Sequence, residues 1–236
     1  MIISGEIKNI DEWYIKAGPK NRKTQWAVNH SALEFAKLVL DISFENDIKQ
    51  NILDKISANQ KIILAIPEQI SKLDDYIGGQ RNHDLALFTR NESEKIAVCF
   101  EAKVNEDLGV KLSRQWEEGY KKNSNIHNRI KTIIDCLWQN SRIENYNELK
   151  YQLLTGLFGT IKFAEKLEIK KCVFCIYQIQ IDEKTKVTKT EKEIQKLVDC
   201  FNVNDKVENN KLFGPFKTIS NIEFYISYLK REKIED

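Results

Sequence analysis

The chain lacks most of the features that announce a function class. Its three histidines, His30, His83 and His127, are scattered without the i, i+4 spacing of a zinc-binding helix, which argues against a zinc site. Neither a Gly-Lys-Ser/Thr phosphate loop nor a Gly-x-Ser-x-Gly elbow occurs, so nucleotide hydrolysis and serine hydrolase chemistry fall away. No uncharged apolar stretch approaches the length of a membrane span. The first residues, MIISGEIKNIDEW, show no basic segment followed by an apolar one, so no secretory signal is read and a cytoplasmic location is expected. Five cysteines, odd in number and sparse, fit a reducing compartment. Cys172 and Cys175 form a CxxC, but they lie in KKCVFCIYQI, whose Val, Phe, Ile and Tyr predict a buried strand. Residues three apart on a strand point to opposite faces, so this pair neither chelates a metal nor closes a disulfide there.

What is present is the composition of an ordinary globular protein, 42% hydrophobic and 31% charged over 236 residues, enough for one domain with a sizeable core. A Trp-rich start with the basic turn GPKNRK leads into HSALEFAKLVLDI, whose apolar spacing predicts a helix from about Ala32 to Ile42. Ser31 and Glu34 read as a capping box at its start. A weaker helical pattern over 45–58 precedes KIILAIPEQI, a predicted strand ending near Pro67. After the Gly-Gly turn of DDYIGGQRN, the strands HDLALF and KIAVCFEAKV flank the loop TRNESE as an antiparallel hairpin. From Asn105 to Asn147 the pattern is helical. NELKYQLLTGLFGTIKFAEKLEI then forms a long helix holding Gly156 and Gly159. Each glycine costs roughly 1 kcal/mol relative to Ala, which a helix tolerates where its backbone must press on a sheet. The strand KKCVFCIYQIQI, a helix near 190–201 and strands near 211–218 and over NIEFYISYLK complete the chain. The expected architecture is α/β, a mixed sheet with an antiparallel hairpin flanked by helices. One domain spans 1–236, with a core of about 31–180, a basic helical insert of about 105–147 and an appended C-terminal extension of about 183–236.

One strand carries an anomaly. In KIAVCFEAKV the residues Ile96, Val98 and Phe100 face one way, and Ala97, Cys99, Glu101 and Lys103 the other. If TRNESE centres the turn near residues 92 and 93, Asp84 falls opposite Glu101, with Cβ atoms about 5 Å apart. A slip of one residue would move Asp84 to the wrong face. Two carboxylates side by side at a strand end repel each other, and a divalent cation resolves the conflict. Mg2+, or Mn2+ in its place, would take both carboxylates and a backbone carbonyl such as that of Ala102 while keeping several waters. Lys103, on the same face, would hold the attacking water or a phosphate.

Asp, a gap, then Glu-x-Lys on the next strand resembles the PD-(D/E)XK nuclease superfamily, with its restriction-endonuclease-like core of helix, three-stranded meander, helix and strand. The layout of a Trp-rich start, HSALEFA and KYQLLTGLFGT resembles an uncharacterised bacterial group within it. The resemblance implies Asp84 and Glu101 as metal ligands and Lys103 as the third catalytic residue. It adds Glu34 from the first core helix and Gln152 from the second as further candidates, and puts His83 where a proline often stands. It implies a Mg-dependent endonuclease acting on nucleic acid, DNA first, in restriction, defence or repair. Cutting both strands with one site per chain would call for a two-fold dimer.

Plainer readings stand beside these. Glu101 and Lys103 can be a solvent-facing pair, Asp84 a turn cap, and Glu34 only half of a capping box. Lys111, Arg114, Lys121, Lys122, Arg129 and Lys131, six cations against two Glu between 111 and 131, can be a phosphate-contacting arm over Trp116 or Tyr120, or merely a solvated face. The alternative to an enzyme is a nuclease-fold module without turnover that binds nucleic acid or a protein.

Overall fold

The computed structural model describes residues 1–19, 21–76, 78–139, 141–182 and 187–234. A short strand β1 (Ile2–Ile3) is followed by helices α1 (Ile10–Ala17), α2 (Arg22–Gln25), α3 (Ser31–Leu40) and α4 (Ile42–Ile48), a π-helical turn (Lys49–Leu53) and α5 (Asp54–Ile56). Three strands come next, β2 (Lys61–Ser71), β3 (Arg81–Arg90) and β4 (Lys95–Lys103). Then come α6 (Leu112–Lys121), α7 (Ile126–Trp138), α8 (Tyr151–Lys166), β5 (Lys171–Gln180), α9 (Val187–Asp199), β6 (Lys211–Lys217) and β7 (Glu223–Glu232).

The strands form one seven-stranded sheet in the order β1-β2-β3-β4-β5-β7-β6. β2, β3 and β4 make an antiparallel meander, and β4, β5 and β7 run parallel. The architecture is therefore mixed α/β, an open sheet flanked by helices. The alternation read in β4 holds. Ile96, Val98 and Phe100 pack on the face that carries Phe35 and Phe44 from α3 and α4, while Ala97 and Cys99 lie under α8. Cys172 and Cys175 divide between the same two faces, and both are free thiols.

Small residues on that second face let α8 approach closely. A Cβ at Gly156 would stand 2.4 Å from the Phe174 ring, so only glycine fits. The insert is not a detached arm, because Ile130, Ile133, Ile134 and Leu137 of α7 join the core around α8.

Three expectations about elements need correction. β2 does not end at Pro67 but continues to Ser71, pairing Pro67 with Leu85 and Gln69 with His83. β1 pairs β2 only at Leu64 and Ala65, so Pro67 stands where β2 is the sheet edge, a position that tolerates a missing donor. The Ser31–Glu34 capping box is absent. α3 is preceded by His30, the Ser31 amide donates to Glu106 (2.9 Å), and Glu34 accepts from the Asn29 amide (2.8 Å). The C-terminal strands are not an appendage, since β7 lies between β5 and β6 with Phe224, Ile226, Tyr228 and Leu229 fully buried. The expected start of that extension, near residue 183, lies outside the described residues.

Candidate functional site

The hairpin fixes the centre of the site. β3 and β4 pair from Arg90–Lys95 to Leu85–Phe100, a register that carries Asp84 to the level of Glu101. The backbone ladder stops there. Instead of a ladder carbonyl, the Asp84 carboxylate accepts the Ala102 amide (2.6 Å). The side chain thus wedges the two strands where they part, at the C-terminal end of β4.

Glu101 and Lys103 point to the α8 face, and both are buried, 3% and 7% exposed, which excludes a solvent-facing pair. Lys103 Nζ lies 2.8 Å from Glu101 Oε1, and Gln152 of α8 donates to the same oxygen (2.6 Å). The buried guanidinium of Arg81 is ion-paired with Glu101 Oε2. Glu106 ties the end of this strand to α3, accepting from Val104 N (2.8 Å) as well as from Ser31 N.

Burial governs the electrostatics. It pushes the Asp84 carboxyl above its ordinary range, while Lys103, the Ala102 amide and Arg81 pull it down and Glu106 adds to the rise. Burial likewise pulls the Lys103 ammonium below its usual range against Asp84 and Glu106. His83 is held well below the usual imidazole value by burial and by the neighbouring Arg81 charge.

Asp84, Glu101, Lys103, Ala102 and Gln152 are therefore brought together. Glu34 is buried at the start of α3, where Oε1 accepts from the Asn29 amide (2.8 Å) and Oε2 has no hydrogen-bond partner among the described residues. Arg129 is placed elsewhere than expected. It is buried, with Nε and Nη2 on the Asp74 carboxylate (2.5 and 2.9 Å) and Nη1 on the Gly79 carbonyl (2.7 Å), so it ties α7 to the loop before β3. Lys111, Arg114, Lys121, Lys122 and Lys131 are exposed. Glu148 pairs with Lys111, and Glu118 pairs with Arg114 and Lys122. Tyr120 is not beneath this surface but on it, 68% exposed, with its ring against His127.

Residues around the expected constellation complete the picture. Arg81 and His83 should share a face with Leu85, yet both lie against α8 at Gly159. Alternation in β3 slips by one at Asp84, opposite Glu68, whose backbone is left-handed (φ 50°). Glu68 has its carboxyl pushed up to about 7 by burial and by the Asp84 charge. Gln178, in register with Lys103, donates to the Val104 carbonyl (2.6 Å). Only Glu106, five residues after Glu101 beyond the same strand, had a signal in its spacing.

The oxygens present suit a hard divalent cation in kind, since Asp84 and Glu101 are carboxylates beside a backbone carbonyl position. Among the described residues no group of three or more His, Cys, Asp or Glu forms a ready cage, so such an ion would keep most of its waters. No helix among the described residues is long and apolar enough to cross a membrane.

Compared with known proteins, residues 6–233 match the family model described as Domain of unknown function (DUF6946). No curated protein and no solved structure matches the chain.

Proposed function

For this chain, which belongs to the DUF6946 family, we propose the activity of a metal-dependent nuclease that hydrolyses phosphodiester bonds in nucleic acid, DNA in the first instance. The observation that carries this reading is the convergence of Asp84, Glu101, Lys103 and Gln152 where β3 and β4 part. The order α3, the β2-β3-β4 meander, α8 and a β5 parallel to β4 supports a restriction-endonuclease-like core. A role in restriction, defence or repair follows by analogy with that superfamily alone.

Asp84 and Glu101 would hold Mg2+ or Mn2+, with the Ala102 carbonyl beside them. When bound, the ion supplies charge that offsets the developing phosphate charge and makes water a better nucleophile. Lys103 holds the water or a phosphate oxygen through its ammonium, whose position Glu101 fixes at 2.8 Å. Gln152 orients Glu101 from the rigid side of α8. The exposed Lys111, Arg114, Lys121, Lys122 and Lys131 would meet the phosphate backbone. The pairs of Lys111 with Glu148 and of Arg114 and Lys122 with Glu118 are exposed, screened by solvent and readily exchanged.

The test is cleavage of supercoiled plasmid, linear duplex, single-stranded DNA and RNA with Mg2+ or Mn2+. Activity should vanish with EDTA and fall at least about a hundredfold in Asp84→Ala and Lys103→Ala, with circular dichroism confirming that both variants fold. Cleavage that survives either substitution sinks the assignment.

A second reading, a binding module without turnover, is favoured by one observation. As the side chains stand, Glu101 is engaged by Arg81, Lys103 and Gln152 together. Binding of DNA or RNA in a fluorescence anisotropy titration, with no cleavage under any metal, selects this reading over the enzyme.

A further inference from the structure

We propose that Arg81 is a resident cation of the site, holding Glu101 in the metal-free protein and releasing it when a divalent ion binds. The inference rests on the metal-dependent reading of the same residues and adds a positioning residue that acts through Glu101.

A carboxylate offers about four lone-pair directions. Here Oε1 receives both Lys103 and Gln152, while Oε2 faces Arg81. Oε2 is therefore the oxygen a metal must use, and the guanidinium lies against it. A divalent ion at about 2 Å from that oxygen and a guanidinium ion-paired with it cannot share the place, since like charges that close repel strongly in a buried setting.

The location of Arg81 points the same way. Its side chain is 8% exposed, and Nε has no hydrogen-bond partner among the described residues. Its stem runs against Gly159, where a Cβ would stand 2.8 Å from Arg81 Cγ. A buried guanidinium with an unsatisfied nitrogen is costly to hold, and its carboxylate partner is what keeps it there. Without it, Glu101 and Asp84 would stand as neighbouring carboxylates balanced by Lys103 alone. Arg81 supplies the missing positive charge until a metal does.

Exchange changes the local charge by one unit, from guanidinium to divalent ion, in a place where Asp84 and Glu106 also face Lys103. Freed from Glu101, the guanidinium keeps its planar fork of donors, the geometry suited to a phosphate.

The experiment is Mn2+ titration of the EDTA-stripped full chain by calorimetry, with free Mn2+ followed by electron paramagnetic resonance, for wild type, Arg81→Gln, Arg81→Lys and Asp84→Asn. Arg81→Gln should bind Mn2+ at least about tenfold more tightly than wild type, which corresponds to about 1.4 kcal/mol. Arg81→Lys should fall between them, and Asp84→Asn should lose the site. Equal or weaker binding by Arg81→Gln overturns the proposal, as does absence of binding in every variant.

A second measurement needs no substitution. Phenylglyoxal modification of wild type, read by mass spectrometry, should spare Arg81 in EDTA and reach it when Mn2+ saturates. Protection that persists in saturating Mn2+ overturns the exchange even if Arg81→Gln does not fold. Neither readout requires cleavage. A chain that exchanges Arg81 for Mn2+ but cuts nothing refutes only the nuclease reading, whereas a chain that cuts with a metal affinity indifferent to Arg81 refutes only the exchange.

Discussion

Burial and the charge of Asp84 across β2 and β3 push the Glu68 carboxyl up to about 7, against the single opposing donor of Asn82. A carboxyl whose value rises from 4.5 to about 7 on folding binds its proton more tightly in the folded protein than in the unfolded chain. Stability is therefore lost as pH climbs from about 4.5 to about 7, and the full penalty stands above that window. Glu68→Gln removes the penalty. In EDTA, the variant should exceed wild type by on the order of 1–3 kcal/mol at pH 8, and the gap should shrink at pH 5. Urea unfolding at the two pH values reads this directly, and a difference that ignores pH would show that Glu68 and Asp84 do not oppose each other. Nothing in the sequence flagged Glu68. Its place depends on a left-handed backbone residue just after Pro67, and no periodicity predicts such a residue. Asp84, Glu101 and Lys103 were legible because two short strands and a polar loop leave few registers, and the buried face excludes a slip.

At the scale of the element, α8 is where sequence and packing agree most closely. Two glycines in one helix are unfavourable by propensity, so their presence predicts a close approach, and the sheet beneath supplies it. Gly156 lies over Phe174, and Gly159 over Arg81 and His83. Gly156→Ala should destabilise despite a propensity gain of about 1 kcal/mol. A Cβ at 2.4 Å from an aromatic ring packed in the core forces a shift that costs typically 1–3 kcal/mol in such overpacked sites. Gly159→Ala should cost less, because its neighbours are the stem of Arg81 and an imidazole at 2.8–2.9 Å rather than a core ring. The expected order in thermal melts is wild type, then Gly159→Ala, then Gly156→Ala, and a Gly156→Ala protein that melts higher than wild type would refute the close-contact argument. β3 is the element that sequence reading could not complete. Unbroken alternation would set Arg81 and His83 on the face of Leu85, and the slip at Asp84 turns both toward α8. Arg81, the second cation that engages Glu101 beside Lys103, was hidden by that one irregularity.

At the scale of the molecule, the two ends of the chain differ in how well the sequence foretold them. The hairpin strands are joined across residues 91–94 and α8 meets β5 across residues 167–170, and local pattern was enough. β7 reaches its place beside β5 only after α9 and β6 have intervened, and pattern in one segment carries no information about which neighbour a distant strand will choose. Its sequence EFYISYLK is nevertheless that of a strand buried on both faces, as parallel sheets require, and this argues against an appendage. β7 pairs with β5 along ten residues, from Lys171–Glu223 to Gln180–Glu232. Asp47 of α4 accepts from Arg231 Nε (2.9 Å) across the same end. Removing this strand would uncover β5, the parallel partner of β4. Each of Phe224, Ile226, Tyr228 and Leu229 is fully buried and stabilises by about 1.5–3 kcal/mol, so together they rival the 5–15 kcal/mol that holds a typical domain. A chain ending at residue 182 should therefore show no cooperative thermal transition and should lose near-ultraviolet circular dichroism, even though every candidate site residue remains in it. A sharp melt of that shortened chain, with tertiary signal intact, would mean that the sheet as far as β5 stands alone and that β6 and β7 are an addition after all.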